Sequence, residues 1–124
     1  MSKFVKVQTQ LRDLALLKRA LDDLRLDYRE NARFVHVWSG FTGVVPLVVQ
    51  TERVKFGFRL AEDGSYEAIG DEMQMGIVRN TLKQVQQRYA YQSVRVATQE
   101  AGFELVEEAV GRDQVIRMTV RRWS

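Results

Sequence analysis

His36 is the only histidine in the chain, and there is no cysteine. Thiolate nucleophiles, disulfides, iron–sulfur ligation and cysteine-based zinc sites are thereby excluded. Catalysis by His36 needs a nucleophile or a carboxylate within hydrogen-bond reach, and no sequence pattern supplies one. His36 is therefore read as a structural or surface residue, on a strand face shared with Phe34 and Trp38. The acidic pairs Asp22-Asp23, Glu62-Asp63, Asp71-Glu72 and Glu107-Glu108 are adjacent rather than spaced for metal ligation, and read as surface acid. The scattered glycines form neither a phosphate-cradling loop nor a dinucleotide fingerprint. No catalytic residue, cofactor site or metal site is expected.

The remaining candidates are aromatic and basic. Tyr89 and Tyr91 lie in a predicted helix, where Tyr89 falls on the apolar stripe and Tyr91 points elsewhere. Arg88, Tyr91 and Arg95, at steps of three and four, share the side opposite that stripe, and Gln92 and Gln99 extend it. Arginine and tyrosine are the residue types that most often carry interface energy. These three are the predicted interaction residues. The expected occupant is a protein partner with an acidic or aromatic surface; the alternative is nucleic acid on a basic Arg/Tyr helix face.

The elements that must position them follow from composition and periodicity. The chain has 124 residues, 45% of them hydrophobic and 28% charged. That is the size and balance of one globular domain, 1–124, which needs no metal or disulfide to hold a core. The net charge is +3, with no dense basic block. The longest apolar run, Val44 to Val49, is too short to span a bilayer. No membrane insertion is expected, and a cytoplasmic or plastid-stromal setting is the default reading.

A strand is predicted from Phe4 to Gln10 by its alternation. A helix follows from Leu14 to Leu26, with Asp13 as N-cap. Strands are expected at Phe34–Trp38, Val44–Gln50, Val54–Leu60 and Tyr66–Ile69. Pro46 favours an edge position for its strand, and Asp63-Gly64 marks a hairpin. A long helix spans Ile77 to Ala101, with Leu82, Val85, Tyr89, Ala90, Val94, Ala97 and Ala101 as its apolar stripe, ended by Gly102. A hairpin closes the chain. With Arg112-Asp113 as its loop, Glu108 faces Arg117, Glu104 faces Arg121, Leu105 faces Val120 and Ala109 faces Ile116. The fold class is α+β: a mainly antiparallel twisted sheet packed against two helices, in the order β-α-β-β-β-β-α-β-β.

The opening MSKFVKVQTQLRDLALLKRAL resembles the start of a family of hypothetical chloroplast reading frame proteins of algal plastids and cyanobacteria, with bacterial relatives in a domain-of-unknown-function family. Gly57-Phe58, Tyr66, Asp71, the segment QRYAY from Gln87 to Tyr91, Gly102-Phe103 and the terminal Val120-Arg121-Arg122-Trp123 extend the resemblance over the whole chain. Lys3 stands where that family usually has histidine, so any role of that histidine is absent here. The resemblance implies no established activity. Family members sometimes occur beside ferredoxin-like proteins and AAA-type ATPases, which suits an accessory or assembly role, and the lack of a chemical constellation makes the expected role a non-enzymatic one.

Overall fold

The computed structural model describes residues 2–110 and 115–122. Strand β1 (Phe4–Gln8) leads to helix α1 (Leu14–Asp23), four strands β2 (Tyr28–His36), β3 (Phe41–Gln50), β4 (Lys55–Leu60) and β5 (Tyr66–Asp71), helix α2 (Met75–Glu100), and the hairpin β6 (Phe103–Val110) and β7 (Ile116–Arg122). The α+β class and the element order are those expected. The first five strands form one antiparallel sheet in the order β1-β5-β4-β3-β2, and β6 and β7 form a separate pair.

Leu17, Ala20 and Leu21 of α1 and Val78, Leu82 and Val85 of α2 pack on Leu47, Val49, Phe56, Phe58 and Ala68 to make the main core. Each fully buried aliphatic or phenyl side chain contributes about 1.5–3 kcal/mol. The start of α1 is tied down twice. The Asp13 carboxylate accepts from the Leu16 amide at 3.1 Å. The hydroxyl of Tyr89, half-buried against the core, accepts from the Asp13 amide at 2.9 Å. Helix α1 ends in a turn closed by Leu26 N–H to the Leu21 carbonyl, with Arg25 at φ 56 in the left-handed position usually given to glycine.

Strands β2 and β3 form a long hairpin, paired from Tyr28↔Val49 to His36↔Phe41. Only Leu47–Gln50 of β3 also pair with β4. The outer half of the hairpin is thus an arm beyond the sheet, and it folds across the face that the helices leave open. Asn31, opposite Pro46 in the register, has φ 47, and it is there that the faces exchange. Glu30 reaches Lys18 of α1, whereas Phe34 and Val45 pack on Val48 and Ile69 in a second cluster. Asparagine tolerates the left-handed region better than most residues. Gly57 lets the arm close down: a Cβ there would lie 3.3 Å from Val45 and 3.2 Å from Ile69. Near the tip, the Phe41 ring stacks on Phe4 of β1, centroids 4.7 Å apart.

Several expectations are corrected. Pro46 is not on an edge strand, because β3 lies between β2 and β4; the missing amide is tolerated because Pro46 sits just beyond the β4 pairing. Val37 and Trp38 belong to the turn, not to the strand. Leu60 is exposed despite its place in the alternation, since it ends β4. The stripe of α2 holds through Tyr89 and then fails: Ala90, Val94 and Ala97 are exposed, and the buried residue of that half is Gln92. A helix of 26 residues is roughly 39 Å long and outruns a sheet of short strands. The terminal hairpin keeps the expected Glu104↔Arg121 and Leu105↔Val120 pairs. An irregularity between Leu105 and Glu107 then shifts the register by one, giving Glu108↔Met118 and Ala109↔Arg117. The predicted loop Arg112-Asp113 lies outside the described residues.

Candidate interaction surface

Arg88, Tyr91 and Arg95 occupy one stretch of α2 but three different surroundings. Arg88 turns toward α1. Its Nη2 and Nε donate to Asp23 Oδ2 at 3.0 and 3.3 Å. The same oxygen accepts Gln92 Nε2 at 2.6 Å. Asp23 is therefore the node of a polar seam between the two helices and not simply surface acid. Gln92 is only 3% exposed. A carboxylate only accepts, so the Gln92 amide must present its nitrogen to Asp23, and its Oε1 is left buried without a partner among the described residues.

Tyr91 is half-buried, and the Arg88 guanidinium lies 4.3 Å from its ring centroid. This contact joins two of the predicted residues, but it also means that Arg88 is held by Asp23 and Tyr91 together. On its other side Tyr91 lines a groove of about 370 Å³ with Gln87, Ala90, Val94, Val115, Ile116 and Met118, between α2 and β7. Val94 and Val115 are exposed there. Arg95 is exposed in a neighbouring cleft between the helices, lined also by Arg19, Asp22 and Gln99, and forms no ion pair among the described residues. The groove was not legible in the sequence, because it depends on where the terminal hairpin docks.

His36 has the partners that its sequence context did not supply. It is buried at the root of the arm's turn, with Nε2 2.7 Å from Asp71 Oδ2 and Nδ1 2.7 Å from Ser39 Oγ. The Ser39 amide donates to Nδ1 at 3.1 Å. Nδ1 is thus the acceptor and Nε2–H donates to Asp71. Serine, imidazole and carboxylate in line also describe a hydrolytic triad. Here, however, the Ser39 amide is directed at the imidazole, and the Ser39 hydroxyl accepts the Phe41 amide at 3.1 Å. The set fastens the turn and pins the arm to the end of β5. Asp71 Oδ1 meanwhile accepts the Met73 amide at 2.8 Å, capping the 3-10 turn Glu72–Gln74. Burial pushes the Asp71 carboxyl up, but the bonds from His36 and Met73 outweigh it and hold the group below the ordinary carboxylate value. The spacing of His36 and Ser39 hints at the turn, while Asp71 is too distant in sequence to be found that way.

On the open face, Arg59 donates to Glu67 Oε1 through Nε at 2.9 Å and Nη2 at 2.7 Å, and lies over the Phe4 and Phe41 rings. Among the described residues no three His, Asp or Glu side chains are grouped so as to hold a metal. No helix among them is long and apolar enough to cross a membrane.

The fold and these surfaces define a small α+β protein in which the clusters around Asp23 and His36 hold elements together. Residues 20–119 match the family described as "Protein of unknown function (DUF1257)". The chain belongs to that family. It is 31% identical to the uncharacterised protein ycf35 of Pyropia yezoensis, over 100% of this chain and 99% of the relative. Its counterpart in Cyanophora paradoxa is 32% identical, over 99% of this chain and 98% of the relative. That of Guillardia theta is 31% identical over the same shares. The resemblance seen in the opening residues therefore runs the length of the chain. No solved structure matches it.

Proposed function

We propose that the chain is a non-catalytic accessory domain that binds a protein partner through the second half of α2. The observation that carries this reading is the groove beside Tyr91. Val94 and Val115 are 44% and 48% exposed along a concave apolar surface, with the exposed Arg95 on the same stretch of helix. An apolar concavity with a cation beside it fits an amphipathic segment whose apolar residues enter the groove and whose carboxylate reaches Arg95. Arg88 supports the surface from behind, by holding the Tyr91 ring, rather than contacting the partner. A cytoplasmic or plastid-stromal setting is part of the proposal, supported by the full-length likeness to ycf35 proteins of algae.

The test is capture from the native host with three baits: wild type, Val94→Asp and Arg95→Ala. Val94→Asp places a charge in the groove and is expected to abolish capture of one stoichiometric protein. Arg95→Ala is expected to weaken that capture about tenfold, the worth of one good charged contact. Far-ultraviolet spectra should stay unchanged for both. Equal capture by all three baits would refute the assignment.

A further inference from the structure

We propose that the tip of the β2–β3 arm docks on an anionic lipid surface, with Val37, Trp38 and Met73 entering the headgroup layer and no segment crossing the bilayer. These three side chains are 81%, 65% and 82% exposed. Val37 and Trp38 directly follow His36, and Met73 lies two residues after Asp71. The 2.7 Å bond between His36 and Asp71 therefore ties the two loops that carry them into one end of the molecule. Farther down the arm, Val35 and Val44 are also exposed, at 47% and 62%.

The shape decides between a lipid and a protein surface. Side chains four-fifths exposed on a turn form a convex point. A rigid protein needs a matching hollow to bury such a point, whereas a fluid interface closes around it. Tryptophan suits that layer because its ring is apolar and its N–H is polar. The point is also preorganised. The Phe41–Phe4 stack and the packing of Phe34 and Val45 fix the arm before any contact, so docking need not order it.

The charges agree. Arg33 is exposed and donates from Nη1 to Thr42 Oγ1 at 3.2 Å. Thr42 pairs with Val35, so this bond directs the guanidinium toward the tip. Lys3 is exposed at the same end, where its carbonyl accepts the Glu72 amide at 2.9 Å. Asp71 is turned inward to His36, and Glu72 is an exposed carboxylate beside these two cations. The chain as a whole carries +3. Basic residues behind an apolar tip favour anionic headgroups.

The full chain carrying Trp123→Phe leaves Trp38 as the single tryptophan, excited selectively over the tyrosines. It is sedimented with vesicles of phosphatidylcholine alone and of equal parts phosphatidylcholine and phosphatidylglycerol. Expected are sedimentation with the mixed vesicles, release by salt, and a blue shift of Trp38 emission. Val37→Asp and, separately, Met73→Ser should each reduce the bound fraction about tenfold at unchanged far-ultraviolet spectra. Failure to sediment with either vesicle, or Val37→Asp binding like wild type, would overturn the proposal. So would capture of a protein by the tip without vesicle affinity, since the tip would then be a protein contact.

Discussion

Replacing Asp23 with alanine separates the structural role of Arg88 from a recognition role. Asp23 Oδ2 accepts Gln92 Nε2 at 2.6 Å and two bonds from Arg88. With the carboxylate gone, Gln92 at 3% exposure loses the partner of its donor, while its Oε1 already lacks one. A buried donor left unpaired costs about 1–3 kcal/mol. The Arg88 side chain is 23% exposed and can turn to water, so its ion pair adds about 0.5–1 kcal/mol. Asp23→Ala should therefore lower unfolding stability by about 1.5–4 kcal/mol. The double variant Asp23→Ala with Gln92→Leu removes donor and acceptor together and should come back to within about 1 kcal/mol of wild type. Urea unfolding, followed in the near and far ultraviolet, reads both differences as midpoint shifts at constant slope. A single variant within about 0.5 kcal/mol of wild type, or a double variant no more stable than the single, would refute the seam and return Arg88 to the pool of recognition residues.

Other outcomes follow from local geometry. Arg25→Gly should stabilise the fold by about 0.5–1 kcal/mol, the left-handed penalty relieved less the added glycine entropy, read as a raised Tm. Gly57→Ala should destabilise it by about 1–3 kcal/mol in urea, because the new Cβ meets Val45 at 3.3 Å and Ile69 at 3.2 Å and lifts the arm. The Asp71 carboxyl titrates below its ordinary value of 3.8 in the folded chain, so its contribution is present above that pH and is lost as pH falls through the folded value. Asp71→Asn should accordingly flatten part of the acid limb of a stability–pH profile, and a limb of unchanged slope would contradict the His36–Asp71 bond. Unfolding of the whole chain should be one transition, unaffected by chelator.

Periodicity carried most of the fold. Asp13 as a cap, Gly102 as a helix end and the alternation around Phe56 and Phe58 are local signals, and the structure keeps all of them. Pro46 misled because edge preference is a rule about donors, and here the donor is missing just where β4 pairing stops. The α2 stripe misled beyond Tyr89 because a hydrophobic pattern states which face is apolar, not how far its partner extends. Gln92 is buried since α1 supplies Asp23 at that point, a contact between residues 69 positions apart. Likewise His36 gained Asp71 only because Asn31 turns the arm over the sheet. Arg88, Tyr91 and Arg95 were legible as a helical patch, but their division among a seam, a groove and a cleft is set by α1 and the terminal hairpin.

The most direct test of the proposed function places a photo-crosslinking amino acid at position 94, inside the groove, and in a second protein at position 83, on an exposed part of α2 that faces neither groove nor cleft. Irradiation in the native host should give one dominant protein adduct from position 94, competed away by the unlabelled chain, and none from position 83. The same adducts from both positions, or none from position 94, would contradict a partner bound in the groove beside Tyr91.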